Sequence, residues 1–239
     1  MLELDGRFIR AGEGPQTEHL RLRPRETALL LVDVYYNDQE LGRWGPPDDP
    51  LTGQLLAMEA AIGAALRAAR DVSLPVVYAT NSAPRVGLQH SAFGRHFLRS
   101  WHGNFRQKFA QGGLDPREYC RGDRDAPLKF PPNLAPISGE LYVRKHVYSA
   151  FFDTRLDTAL RNLGIRTLVC AGLWANVCLA ATALDALYNN YDVIWLREGT
   201  LAGYGDTDRW VAWFEETVGY TVSTAEFVSA CQKVAGSEK

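Results

Sequence analysis

Thr27-Ala-Leu-Leu-Leu-Val-Asp-Val34 is the stretch that decides the fold. Its hydrophobicity is continuous rather than alternating, the pattern of a strand buried on both faces of a parallel sheet. Working outward, Leu51 to Arg70 carries a helical pattern rich in Ala and Leu, and Leu74-Pro-Val-Val-Tyr-Ala-Thr80 is a second short apolar run. Further along come Glu140-Leu-Tyr-Val-Arg-Lys145, a helical stretch near Thr154 to Leu163, and Arg166-Thr-Leu-Val-Cys-Ala171. A helix from about Asn176 to Asn190 then leads to Asp192-Val-Ile-Trp-Leu196. A helix near Thr207 to Val218, the short strand Tyr220-Thr-Val222 and a helix from Thr224 to Val234 close the series. Six apolar strands interleaved with helices predict an α/β fold built on a mostly parallel sheet covered on both faces. Ligands of such sheets sit beyond the carboxyl ends of the strands, near the point where strand order reverses. Chemistry is therefore expected just after Val32, Ala79, Arg144 and Ala171.

The 239 residues include 26 Lys plus Arg against 28 Asp plus Glu, a formal net charge of -2, and the pI is about 6.2. That balance argues against a protein that coats nucleic acid or an anionic membrane, since both need a positive excess. With 46% hydrophobic and 23% charged residues the chain is globular rather than disordered. The length predicts one domain over residues 1–239. No apolar run reaches the length of a membrane-spanning helix. The opening MLELDGRFIRAGEG lacks the apolar core of a secretory leader. A reducing cytoplasm is expected, with free thiols at Cys120, Cys170, Cys178 and Cys231, which form neither a CxxC pair nor a metal-type spacing.

The segment 82–136 is too long for an ordinary connection and is expected to be a loop or lid inserted in the domain. Phe93, Phe97, Trp101, Phe105 and Phe109 recur at helical spacing, which reads as packing. Arg85, Arg95, Arg99, Arg106 and Arg117 lie among them, an interleaving that single-stranded nucleic acid binders also show. Asp115, Glu118, Asp123 and Asp125 dilute that charge, so no nucleic acid partner is expected.

Three strand ends carry chemistry. Asp33 follows Leu-Leu-Leu-Val, where a carboxylate must find partners or shift its proton affinity. Taken alone it also reads as a structural hydrogen-bonding group. Lys145 ends Leu-Tyr-Val-Arg-Lys and alone reads as a surface lysine. Cys178 opens a helix, where the helix dipole and free N–H groups favour a thiolate; Cys170, mid-strand, reads as an inert buried thiol. Parallel topology brings these ends to one rim, so a carboxylate, an ammonium and a thiol would share a site. The carboxylate would take the thiol proton, and the ammonium would favour both anions and depress the thiol pKa. This is a nucleophile with a base and no histidine.

The segments ALLLVDVYYND, VRKHVYSAFFDTRLDTALRNLGIRTLV and AGLWANVCLAATALDAL resemble those of the isochorismatase-like cysteine hydrolases. The resemblance runs from about Thr27 to Val222 and is weakest between Arg85 and Pro136. It implies a three-layer α/β/α sandwich of Rossmann-type topology with a six-stranded parallel sheet, and a catalytic triad of Asp33, Lys145 and Cys178. It also implies a cis peptide between Leu173 and Trp174, with the main-chain N–H groups of Trp174 and Cys178 forming an oxyanion hole. Ala175 stands where the family usually has Thr, and Trp174 where it has a small residue. Lys145-His-Val-Tyr-Ser-Ala-Phe-Phe-Asp-Thr154 is similar to the ureidoacrylate amidohydrolase and biuret hydrolase branch. In that branch the positions of Tyr148 and Asn81 contact substrate, although Tyr148 also reads as core packing and Asn81 as a turn residue. Trp44 and Trp174 would supply flat walls of a substrate pocket, or simply pack.

The expected function is a cysteine-dependent amidohydrolase that cleaves a small amide or ureido C–N bond through a thioester, releasing ammonia or an amine. The rivals are a vinyl ether hydrolase of the isochorismatase type, whose relatives lack the cysteine, and a non-catalytic binding protein on the same fold. No cofactor and no metal are expected: Asp38-Gln-Glu40 and Trp44 bring no histidine, and His90, His96 and His102 do not share one helix face. A homo-oligomer, dimer or tetramer, is implied by the resemblance.

Overall fold

The apolar run that opens at Thr27 forms strand β3 (Thr27–Val32), and all six of its residues are buried. The computed structural model of the protein describes residues 1–38, 41–81, 92–100, 128–203 and 205–237. Before β3 come β1 (Leu2–Arg10) and β2 (Gly14–Leu22); after it come β4 (Val76–Asn81), β5 (Leu141–Lys145), β6 (Thr167–Leu173), β7 (Asp192–Leu201) and β8 (Tyr220–Val222). The helices described are α1 (Pro50–Asp71), α2 (Ala92–Ser100), α3 (Leu156–Asn162), α4 (Cys178–Tyr188), α5 (Thr207–Thr217) and α6 (Thr224–Ser237). Each apolar run and helical pattern outside the segment 82–136 is matched by one of these elements, with ends displaced by a few residues.

The strands make one sheet in the order β2-β1-β8-β7-β6-β3-β4-β5. Its six strands from β3 onward are mutually parallel. The expected six-stranded sheet is thereby corrected to eight strands, because β1 and β2 add an antiparallel hairpin at the β8 edge. In β1, Leu2 and Leu4 are buried while Glu3, Asp5 and Arg7 are exposed, the alternation of a strand with one wet face. Gly12 and Gly14, with φ of 81° and 84°, turn the hairpin. The hairpin covers an edge that would otherwise present unpaired backbone groups.

Alternate strand residues feed two cores. Leu29, Leu31, Tyr78, Val169 and Ile194 pack against Leu55, Met58 and Ile62 of α1 and Phe227 of α6. On the opposite face, Leu30, Val32, Val77, Leu168 and Trp195 pack against Leu160 of α3, Leu179 and Ala183 of α4, and Phe214 of α5. The result is three layers, helices on each side of the sheet. Strand order reverses between β3, which leads to β4 and β5 on one side, and β6, which leads to β7 and β8 on the other. A ligand crevice is expected at that switch point.

The two strands approach very closely there. Gly172 in β6 has φ of 123°, and a Cβ on it would collide with the carbonyl oxygen of Val32. Of the expected lid, α2 is described and agrees with the helical spacing at Phe93, whereas Arg85, Trp101, Phe105, Arg106, Phe109 and Arg117 lie outside the described residues. The described residues resume at Leu128, and the ring of Phe130 meets Tyr35, Tyr78 and Tyr142 edge to face. Among the described residues no helix is long and apolar enough to cross a membrane.

Gly172→Ala combines that collision with a backbone conformation alanine resists, so it is expected to destabilise the protein by roughly 2–4 kcal/mol. Urea denaturation reads this as a lowered midpoint, and an unchanged midpoint would contradict the close approach.

Candidate active site

The four strand ends at the switch point deliver one polar cluster into an apolar setting. Asp33 directly follows β3; its φ of 54° turns it out of the strand, and its N–H donates to the Ala79 carbonyl at 2.9 Å. Asn81 ends β4, and its main-chain N–H donates to Asp33 Oδ1 at 3.1 Å. Lys145 ends β5 in register with Asn81. Cys178 is the first residue of α4, reached from the end of β6 through Trp174-Ala-Asn-Val177.

Lys145 is at the centre, with no solvent exposure at all. Its Nζ lies 2.8 Å from Asp33 Oδ2 and donates to Asn81 Oδ1 at 2.8 Å and to Cys178 Sγ at 3.2 Å. An ammonium has three N–H donors, and three acceptors surround this one. The three expected residues Asp33, Lys145 and Cys178 are thus in direct contact, all of them buried.

The expectation of a depressed thiol pKa is overturned. Burial pushes the Cys178 thiol up, the Asp33 charge and hydrogen bond push the same way, and the Lys145 ammonium only partly opposes them, leaving it at about 12. Burial and the neighbouring carboxylate therefore both oppose ionisation of the sulfur in the resting protein. Desolvation is the largest of these causes. Burial likewise raises Cys231, to about 12, and Cys170 further; Cys120 lies outside the described residues.

The turn before Cys178 has the cis peptide at Leu173–Trp174 that the resemblance implies. Ala175 N–H donates to Leu201 O, and Val177 and Leu179 N–H groups both donate to Trp174 O. Among the described residues no main-chain carbonyl of the turns and loops accepts from the N–H of Trp174 or of Cys178. Those two donors beside the thiol can bind an oxygen that gains negative charge. The turn is clasped to the end of β7, where Asn176 Oδ1 accepts from Gly203 N–H at 3.1 Å. The Trp174 indole lies flat over Gly203, where a Cβ would come within 2.8 Å of the ring.

The remaining expected residues divide. Tyr148 is half-buried against the α3–α4 side of the core, with its ring edge to face with Phe93 at 4.8 Å. Asn81 is at the site: its oxygen holds Lys145 and its Nδ2 donates to the Tyr35 hydroxyl at 2.8 Å. Trp44 is 3% exposed within the core on the α1 side. Its indole N–H donates to Glu59 at 2.6 Å, and its ring meets Tyr36, so its contacts are those of a packed residue. Tyr35 is a functional candidate that sequence reading passed over, although a polar tip two residues past Asp33 was its signal. Among the described residues, no group of three or more His, Cys, Asp and Glu side chains could hold a metal ion; His90 and His102 lie outside them.

The isochorismatase domain model matches residues 27–226. A ureidoacrylate amidohydrolase of Pseudomonas syringae pv. syringae is 31% identical over 188 residues, 77% of this chain and 74% of that one. Among solved structures, the N-carbamoylsarcosine amidase of Thermoplasma acidophilum is 26% identical with a TM-score of 0.61, covering 83% of this chain and 96% of that one. A cysteine hydrolase of Pseudomonas syringae pv. phaseolicola shares the fold at a TM-score of 0.69 and 22% identity, over 95% of this chain and 97% of that one.

The thiol's elevation is open to direct titration. The ultraviolet thiolate absorbance of the protein, less that of Cys178→Ala, is expected to be absent at neutral pH and to rise only toward about 12. A thiolate signal at neutral pH would contradict the burial argument.

Proposed function

The chain belongs to the isochorismatase domain family, and from that membership we propose that it is a cysteine-dependent amidohydrolase acting on a small amide or ureido C–N bond. One observation carries the reading: a fully buried ammonium within hydrogen-bonding distance of both a carboxylate and a thiol. That arrangement supplies nucleophile, base and a fixed countercharge in a space closed to bulk water.

The chemistry follows from the neutral thiol. As Sγ of Cys178 attacks the substrate carbonyl carbon, its proton passes to Asp33. The carbonyl oxygen becomes an oxyanion held by the N–H groups of Trp174 and Cys178, each such donor contributing about 3 kcal/mol in comparable sites. The intermediate collapses by breaking the C–N bond, and Asp33 returns the proton to the leaving nitrogen. The product of this half is a thioester on Cys178 and a free amine or ammonia. Water then gives a proton to Asp33 and adds to the thioester. Collapse releases the acid, and Asp33 reprotonates the sulfur. Lys145 balances whichever of the two groups is anionic at each stage, so no charge is left alone in the buried site.

The substrate class is drawn from chemistry that two relatives share. Ureidoacrylate and N-carbamoylsarcosine, the compounds for which those two relatives are named, both present an N-carbamoyl end. Trp174 and Tyr148 are proposed as the walls that receive it. Asn81 is proposed to act from behind the ammonium.

Ammonia release from a panel of ureido compounds, biuret, carbamoyl amino acids and simple amides is the direct test. At least one N-carbamoyl compound is expected to be hydrolysed, and Cys178→Ala to lose about 10³-fold or more in kcat. Wild-type turnover by Cys178→Ser would overturn the mechanism, and silence across the whole panel would overturn the substrate class.

A further inference from the structure

Next to Asn81 stands Tyr35, two residues past Asp33 in the chain. Tyr35 is 3% exposed, and its hydroxyl accepts from Asn81 Nδ2 at 2.8 Å. Its ring is met edge to face by Phe130, with centroids 6.4 Å apart. Asn81 is itself buried, so the direction of its carboxamide is a matter of which partners flank it. One end accepts from the Lys145 ammonium. Turned half a rotation, the amide would aim N–H groups at the ammonium's own N–H donors. The donor-only ammonium sets the productive direction, and the Tyr35 hydroxyl, accepting from Nδ2, anchors the carboxamide in it. With the hydroxyl gone, a buried N–H pair would lose an acceptor, a loss that buried donors do not tolerate without shifting. Asn81 would then tilt, and its oxygen would no longer fix Nζ between Asp33 and Cys178.

We infer that Tyr35 is a positioning residue, which acts through Asn81 to hold the Lys145 ammonium in the place where it serves both the carboxylate and the thiol. The chain of contacts is Phe130 to Tyr35, Tyr35 to Asn81, Asn81 to Lys145, and Lys145 to Asp33 and Cys178. It also ties the stretch that carries Phe130 to the reactive groups. The inference rests on the cysteine-hydrolase reading, and part of its test is independent of it.

The experiment compares the full chain with Tyr35→Phe, Asn81→Ala and the double variant. Two quantities are read: kcat and KM on an N-carbamoyl compound the wild type hydrolyses, and the pH dependence of iodoacetamide alkylation at Cys178, located by peptide mass. Tyr35→Phe is expected to lower kcat about fivefold, the size of one net hydrogen bond, with KM unchanged. It is also expected to move the rising limb of the alkylation curve to higher pH, read as a slower rate at each pH below the thiol's pKa, since the ammonium is held less firmly against the sulfur. In the Asn81→Ala background the same substitution is expected to add nothing further. A wild-type kcat and alkylation curve in Tyr35→Phe would overturn the inference. So would an equal loss in the Asn81→Ala background, or a drop in melting temperature with the curve unmoved. The alkylation curve needs no substrate, so a wild type inert on every amide would sink the hydrolase reading while the curve still decides on Tyr35.

Discussion

A buried ammonium without partners costs several kcal/mol of stability, and the geometry of this molecule is organised around avoiding that. Lys145 is fully enclosed, so the fold must bring an anion and two further acceptors to it. They arrive from different strand ends, and sheet register makes their meeting possible. Asn81 stands directly opposite Lys145 across β4 and β5. Val32 stands opposite Ala79 across β3 and β4 and opposite Gly172 across β3 and β6, which puts Asp33 and the turn to Cys178 at the same rim. Because side chains alternate between faces, a slip of one residue between β4 and β5 would turn Lys145 away from Asn81. The tight crossing at Gly172 keeps β6 close enough to β3 for the thiol to reach the pair.

The same enclosure sets the state of the sulfur. A helix N-terminus and a neighbouring lysine would, in a wet site, favour a thiolate. Here burial and the Asp33 charge prevail and the thiol stays protonated. Reactivity is then not stored as a standing anion but released when a substrate carbonyl accepts the sulfur's electrons while Asp33 accepts its proton. Such a cysteine is alkylated and oxidised only in proportion to the small fraction that ionises.

Much of this was legible in the amino-acid order. Continuous apolar runs announce parallel strands, and the polar residues that end them, Asp33, Lys145 and Cys178, stand out against such neighbours. The N-terminal hairpin was not legible, because Leu2-Glu-Leu-Asp alternates too briefly to distinguish a strand from a polar tail. The role of Asn81 was hidden for another reason: its partners Tyr35 and Lys145 lie 46 and 64 residues away in sequence, so only the folded sheet shows what its carboxamide holds. Trp44 sits in a Gly- and Pro-rich stretch that reads as a loop rim, yet Glu59 on α1 draws its indole into the core. The thiol's proton affinity depends on desolvation, a property of the packed interior that no local pattern encodes.

A covalent intermediate on one sulfur is the feature that sets this chemistry apart from ether hydrolysis or simple binding. Rapid acid quench during turnover of an N-carbamoyl compound, followed by peptide mass spectrometry, reads it directly. The expected result is an acyl adduct confined to the peptide that bears Cys178, removed by hydroxylamine. Steady product release with that peptide unmodified, and with no hydroxamate formed when hydroxylamine is present, would contradict it.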